Sequence, residues 1–161
     1  FIGYQLHQAY TEKGYYMPRL DVRICGARGL KNIETFGTID PYASVTFEGL
    51  KYETGVKDDT TNPEWNEVFK FMCRDENSSQ LIFAVWNKNL VSDDFLGEYR
   101  MSISNLKRGV ADDKWVLLQN CKGNAELHIR VLAVDFGEIP QPGAPAQQAP
   151  PPQAPLQGYP P

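Results

Sequence analysis

No apolar run in this 161-residue chain approaches the ~18 residues that a membrane-spanning helix needs, so no transmembrane segment is expected. Histidine is scarce. His7 and His128 stand alone, and His128 alternates with Leu127 and Ile129, the setting of a surface ring rather than a catalytic base. The cysteines Cys25, Cys73 and Cys121 are odd in number and widely spaced. They fit no zinc spacing and no paired framework, which favours a reducing, cytoplasmic setting. The formal charge is −4 and like charges form no long block. Nucleic acid needs a basic patch, so it is not an expected partner. No Ser-His-Asp order, phosphate loop or carboxylate pair in a cleft-forming context stands out, and no enzymatic activity is expected. A secretory leader is also missing. The chain opens on Phe1 without a methionine and is read as an excerpt of a longer polypeptide.

Proline is rare until residue 140, after which nine of the twelve occur, in IPQPGAPAQQAPPPQAPLQGYPP. That segment has no Lys or Arg and no strand or helix period. Residues 138–161 are therefore expected to form a disordered tail of polyproline character, either a spacer or a docking segment for a protein partner. Residues 1–18 are aromatic and polar without clean periodicity, and are read as an N-terminal arm. Residues 19–137 form the globular domain.

What the middle of the chain does have is β pattern. Leu20, Val22 and Ile24 alternate with Asp21, Arg23 and Cys25, the period of a half-buried strand. Further strands are expected over 44–47, 52–56, 68–72, 81–86, 99–103, 115–118 and 127–132, each rich in β-branched or aromatic residues. Turn signals such as Asp40-Pro41, Asn62-Pro63 and Asp93-Asp94 separate them. Eight short strands at this spacing imply an all-β fold, an eight-stranded antiparallel β-sandwich. Residues 104–109, SNLKRG, read as a helical turn, and Trp65, Trp86 and Trp115 read as core.

Two connections are acidic and irregular. GLKNIETFGTIDPYASV, residues 29–45, carries Glu34 and Asp40, and WNKNLVSDDFLGE, residues 86–98, carries Asn87, Asn89, Asp93 and Asp94. If both leave the same end of the sandwich, their oxygens converge into a cup suited to calcium, which takes about six to eight hard oxygen ligands. Either loop alone is equally a turn built from turn-forming residues. Phe36 falls at the crown of the first connection, with Leu90 and Val91 at that of the second. Apolar residues exposed at adjacent tips are unexpected unless they meet a membrane.

The running order LDVRICGARGL, GLKNIETFGTIDPY, TTNPEWNEVFKF, VWNKNLVSDDFLGE resembles the C2 domain, the calcium-dependent lipid-binding β-sandwich, over about residues 19–136. Starting on the ARGL strand and ending on AELHIRVLAV, it is similar to the circular variant whose final strand closes the sheet. The resemblance implies calcium ligands at Glu34, Asp40, Asn87, Asn89 and one of Asp93 and Asp94. Asp40 and one of that pair match the family's aspartates outright. Glu34 keeps charge with longer reach, whereas Asn87 and Asn89 keep an oxygen but lose the charge, and Lys88 opposes it. The cup then carries about −3 rather than about −5, each lost charge weakening a divalent cation by about 1–3 kcal/mol. Calcium affinity is expected near ~10⁻⁴–10⁻³ M or absent. The resemblance further implies bilayer contact by Phe36, Leu90 and Val91, and a weak basic lipid face to which Lys51, Lys57, Lys70 and Arg74 contribute among interleaved acids. The expected function is a peripheral module binding anionic phospholipid membranes and tethering an associated protein. A calcium-independent protein-interaction adaptor is the alternative.

Overall fold

The computed structural model describes residues 17–142. Expectations for most of the arm, for His7 and for most of the proline-rich tail lie outside these residues. Eight antiparallel strands are present: β1 (Arg19–Arg28), β2 (Pro41–Phe47), β3 (Leu50–Glu53), β4 (Glu64–Met72), β5 (Gln80–Asn87), β6 (Asp94–Ser102), β7 (Asp112–Leu117) and β8 (Glu126–Ala133). They form two sheets of four, in the orders β4-β1-β8-β7 and β3-β2-β5-β6. The last strand lies beside the first, between β1 and β7.

Period-two alternation produces this arrangement. Leu20, Val22 and Ile24 of β1, Leu81, Phe83 and Val85 of β5, and Leu127, Ile129 and Val131 of β8 are fully buried between the sheets. Phe47, Phe83 and Phe136 supply the largest buried side chains. The side of the sandwich between β3 and β4 is closed by aromatic contacts. Tyr52 stacks on Phe69 at 5.4 Å and meets Phe71 at 5.1 Å, and Phe71 in turn sits edge-on to Phe47 at 5.6 Å.

A bulge in β1 aims the functional end. The register shifts between Ile24 and Gly26 in both pairings: against β8 Cys25 is the extra residue, whereas against β4 Trp65 and Asn66 lie opposite Cys25 and β4 carries the extra one. A Cβ on Gly26 would stand 2.6 Å from the Pro63 carbonyl oxygen, so only glycine lets the connection before β4 come this close. The same carbonyl accepts the Ala27 N–H at 2.9 Å. Beyond the bulge the connections lock together. Gly29 N–H donates to Asn62 Oδ1 (2.9 Å), Leu30 N–H to Thr61 O (3.1 Å), Thr60 N–H to Ile39 O (3.0 Å) and Lys88 N–H to Asp40 O (2.9 Å).

Three expectations need correction. Residues 104–109 form no helix, because their backbone is recruited by the chain after β8. Arg108 N–H donates to Glu138 O and Gly109 N–H to Ala133 O, while Leu106 packs in the core. The third strand is earlier than expected, at Leu50–Glu53, since the Thr54 hydroxyl accepts the Ala43 N–H and draws the chain out of the ladder. Of the three tryptophans only Trp65 is core: Trp86 is partly exposed on the outer face of β5, and Trp115 is 40% exposed on the outer face of β7, with the Arg28 guanidinium 3.9 Å over its ring and His128 stacked at 4.7 Å.

Gly26→Ala should cost about 1–3 kcal/mol, as for an overpacked site, because backbone rather than a flexible side chain opposes the new methyl. Urea unfolding followed by tryptophan fluorescence measures it; an unshifted midpoint would mean that the bulge is free to relax.

Candidate functional site

The β1–β2 and β5–β6 connections meet at one end of the sandwich, and Asn87 is where they are joined. This last residue of β5 is fully buried, at 0% exposure. Its Oδ1 accepts the Asp40 backbone N–H at 2.8 Å. An N–H can only donate, so this contact fixes the amide orientation and turns Nδ2 into the cup. There Nδ2 lies 2.5 Å from Glu34 Oε1, 3.4 Å from Asp94 Oδ2 and 3.5 Å from Asn89 Oδ1.

Asn89 repeats the arrangement. Its Nδ2 donates to Asp94 Oδ2 at 2.7 Å and to the Ser92 carbonyl at 2.9 Å. Two amides thus face Asp94 and one faces Glu34. Asp40 is held differently: its Oδ1 accepts the backbone N–H of Asp59, at 2.8 Å, and so organises the β3–β4 connection.

Asp93 and Asp94, alternatives by sequence, are separated by the strand boundary between them. Asp94 begins β6 opposite Asn87 in the register and faces the cup. Asp93 turns away, accepting the Asn89 N–H (2.9 Å) and the Tyr42 hydroxyl (2.5 Å), with Lys88 Nζ at 3.6 Å. The Asn89 N–H first, then the Tyr42 hydroxyl, hold the Asp93 carboxyl below the usual aspartate range. Burial first, then Asp93, push the Tyr42 phenol upward.

The donor set decides what this cup can hold. Calcium needs converging oxygens. Asn87 has spent its oxygen on the backbone, and it presents hydrogens where a cation would sit. Freeing that oxygen would leave the Asp40 N–H unpartnered next to a fully buried side chain. Among the described residues no group of three His, Cys, Asp or Glu is disposed to hold a metal ion. As arranged, the residues do not fit calcium.

The apolar tips stand where they were expected. Phe36 is 91% exposed, Leu90 105% and Val91 99%, on the two connections that Asn87 joins. The basic residues are not brought together. Lys51 is on β3, paired with Glu53 at 3.4 Å; Lys57 is on the β3–β4 connection; Lys70 is on β4 in the other sheet, opposite Asp21. The Arg74 backbone N–H is bound by the Glu48 carboxylate, away from this end. Sequence reasoning missed Asn32, which shapes the first crown. Its Oδ1 accepts the Glu34 N–H (3.2 Å) and its Nδ2 donates to the Gly37 carbonyl (2.8 Å), with Gly37 at φ +78°. An asparagine five residues before a glycine was the available signal.

The structure is an antiparallel sandwich that ties its connections together at one end and presents apolar tips there. A model of the C2 domain matches residues 18–118, and the chain belongs to the C2 domain family. The multiple C2 domain and transmembrane region protein 8 of Arabidopsis thaliana is 33% identical over 126 residues, 75% of this chain and 13% of that protein. A calcium-dependent lipid-binding protein of Arabidopsis thaliana is 31% identical over 96 residues, 59% of this chain and 19% of that protein. Among solved structures, a C2 domain of a plant extended synaptotagmin 1 superposes with a TM-score of 0.68 at 25% identity, covering 75% of this chain and 97% of that one. The chain thus spans less than a fifth of the length of these curated relatives. No helix among the described residues is long and apolar enough to cross a membrane.

Tyr42→Phe should return the Asp93 midpoint upward toward the ordinary aspartate range, read by carboxyl carbon NMR during acid titration. A lowered pKa holds the contact above that range and loses it as pH falls through the lowered value. The loop should therefore be unchanged from pH 8 to about 5 and loosen only below about 4.

Proposed function

We propose that this chain is a non-enzymatic, peripheral membrane-binding module that docks on phospholipid through Phe36, Leu90 and Val91, with weak or absent calcium dependence. In a cell it would act on the cytoplasmic face of a membrane and tether whatever protein it belongs to. The exposure of three large apolar side chains on two joined loops carries this reading. Monomeric surfaces rarely gather such residues at one end without a use. Their burial in lipid would contribute at most ~4–7 kcal/mol before ordering costs, enough for reversible docking. The lipid-binding relative supports the membrane as partner, and the proline-rich tail would recruit a protein.

The Asn87 amide supports the second half of the proposal. It provides donors to Glu34 and Asp94 where a calcium ion would otherwise neutralise them. Glu34, Asp40, Asn87, Asn89 and Asp94 would then be a loop-joining network rather than a metal centre, and Asp93 a brace for the second tip.

Co-sedimentation with phosphatidylserine vesicles, in chelator and again in millimolar calcium, tests the docking. Equal pelleting in both conditions is expected, with a drop of roughly tenfold on Phe36→Ser or Leu90→Ser, about 1.5 kcal/mol each. No pelleting in either condition would leave the calcium-independent protein adaptor, which the amide-joined cup also suits.

Asn87→Asp tests the cup. A buried carboxylate beside Glu34 and Asp94 should destabilise the calcium-free fold by about 3 kcal/mol, and millimolar calcium should restore part of it. The parent should show a melting temperature unchanged to within about 1 °C on the same addition. A large calcium-induced rise in the parent would overturn the network reading.

A further inference from the structure

Resting on the membrane-docking reading, the geometry points to a second lipid contact: a phospholipid headgroup site in the cleft between the β1–β2 and β7–β8 connections. We propose that Lys31 and Lys122 take the phosphate there, over an apolar floor. The cleft, of about 90 Å³, is lined by Leu30, Ile33, Phe95 and Leu96, with Lys31 and Lys122 among the residues on its rim.

Three observations converge on it. The first is position. The two connections that form the cleft are neighbours at the end that carries the tips: a Cβ on Gly29 would come within 3.9 Å of Ala125 Cα and of the Asn124 carbonyl. A domain seated on Phe36, Leu90 and Val91 brings this cleft to the headgroup layer.

The second is charge. The connections at this end, with Asp94, hold the carboxylates of Glu34, Asp40, Asp58, Asp59, Asp93 and Asp94 against four lysines, so an anionic surface is repelled unless specific cations meet it. Lys88 is engaged with Asp93. Lys31 and Lys122 are exposed, and among the described residues neither makes an ion pair. Both are therefore free to be neutralised by a ligand.

The third is amphipathy. Phe95 is partly exposed beside Ile33, and its ring is fixed edge-on to Trp86 at 5.3 Å. A cationic rim over a fixed apolar floor matches a phosphate joined to a glycerol and its first methylenes. Inorganic phosphate could use only the rim. This fit is what selects a lipid over a free anion. In a module whose cup does not fit calcium, these lysines would take over the cation's contact with lipid phosphate.

The test is partition of the full chain into vesicles of phosphatidylcholine with and without phosphatidylserine, in chelator. Lys31→Gln with Lys122→Gln should lower partition into the phosphatidylserine vesicles by roughly 10- to 30-fold and leave melting temperature unchanged. Lys107→Gln with Arg108→Gln, which removes the same charge at the opposite end, should lower it by less than about twofold. An equal fall in both double variants means diffuse attraction and overturns the site. Unaltered binding by the Lys31 and Lys122 variant overturns it while leaving tip docking intact. Displacement by about 10 mM inorganic phosphate, at matched ionic strength, overturns the lipid as occupant. If the parent binds no vesicles, the docking reading fails and takes this site with it.

Discussion

The amide of Asn87 holds the functional end together. It is a neutral group with one acceptor and two donors, buried at the end of a central strand where two connections come within reach. Its oxygen anchors the chain entering β2 through Asp40, and its nitrogen faces the carboxylates of Glu34 and Asp94. Those carboxylates would otherwise approach one another with no counter-charge. Like charges held that close raise the cost of ionising each other or drive the loops apart. A hydrogen-bonded amide relieves the conflict without a cation. Loop geometry in this chain therefore follows from the fold itself, and Asp40 can turn its own carboxylate to the β3–β4 connection through Asp59.

That arrangement depends on the sandwich delivering the strand ends accurately. The bulge at Cys25 resets the phase of β1 so that Ala27 and Leu30 stay buried while the chain turns toward the loops. Gly26 admits the Pro63 carbonyl, which brings the β3–β4 connection close enough for Asn62 and Thr61 to bind Gly29 and Leu30. Glu48, at the other end, accepts from Arg74 N–H, Asp75 N–H and the Ser79 hydroxyl, fixing the entry to β5. Burial there, with the neighbouring carboxylates, pushes the Cys73 thiol up to about 12, so this cysteine is inert at ordinary pH.

Strand identity was legible wherever alternation ran uninterrupted, as in β1, β5 and β8, because burial on one face leaves a period that no turn residue imitates. The C2 resemblance and the two exposed tips were legible for the same reason: both are patterns of residue type at fixed spacing. Direction was not legible. Sequence treats Asn87 as an oxygen donor and Asp93 and Asp94 as interchangeable. Which atom of an amide faces the cup depends on a backbone N–H 47 residues away. Which aspartate faces it depends on where β6 begins. Trp115 misled because hydrophobicity alone suggests burial, whereas its partners Arg28 and His128 come from other strands and cover its faces outside the core. Residues 104–109 misled similarly, since the carbonyls of Ala133 and Glu138 outcompete a local helical turn.

A stiff tip changes the arithmetic of docking. The segment bearing Leu90 and Val91 is short, and each end is tied: Lys88 N–H to Asp40, Asn89 to Asp93, Asp94 and the Ser92 carbonyl. The first crown is similarly held by Asn32 across Gly37. Loops ordered in advance lose little conformational freedom on insertion, so in the proposed docking a larger share of the transfer free energy of three side chains would survive as affinity. In a metal-organised cup that order would arrive only with the ion, and docking would follow the ion's concentration. Here hydrogen bonds within the chain supply the order at all times. On the proposed reading, the same pair of asparagines that leaves the cup two negative charges short would also remove the reason for docking to wait on a signal, and would leave the surface charge of the membrane as the remaining control.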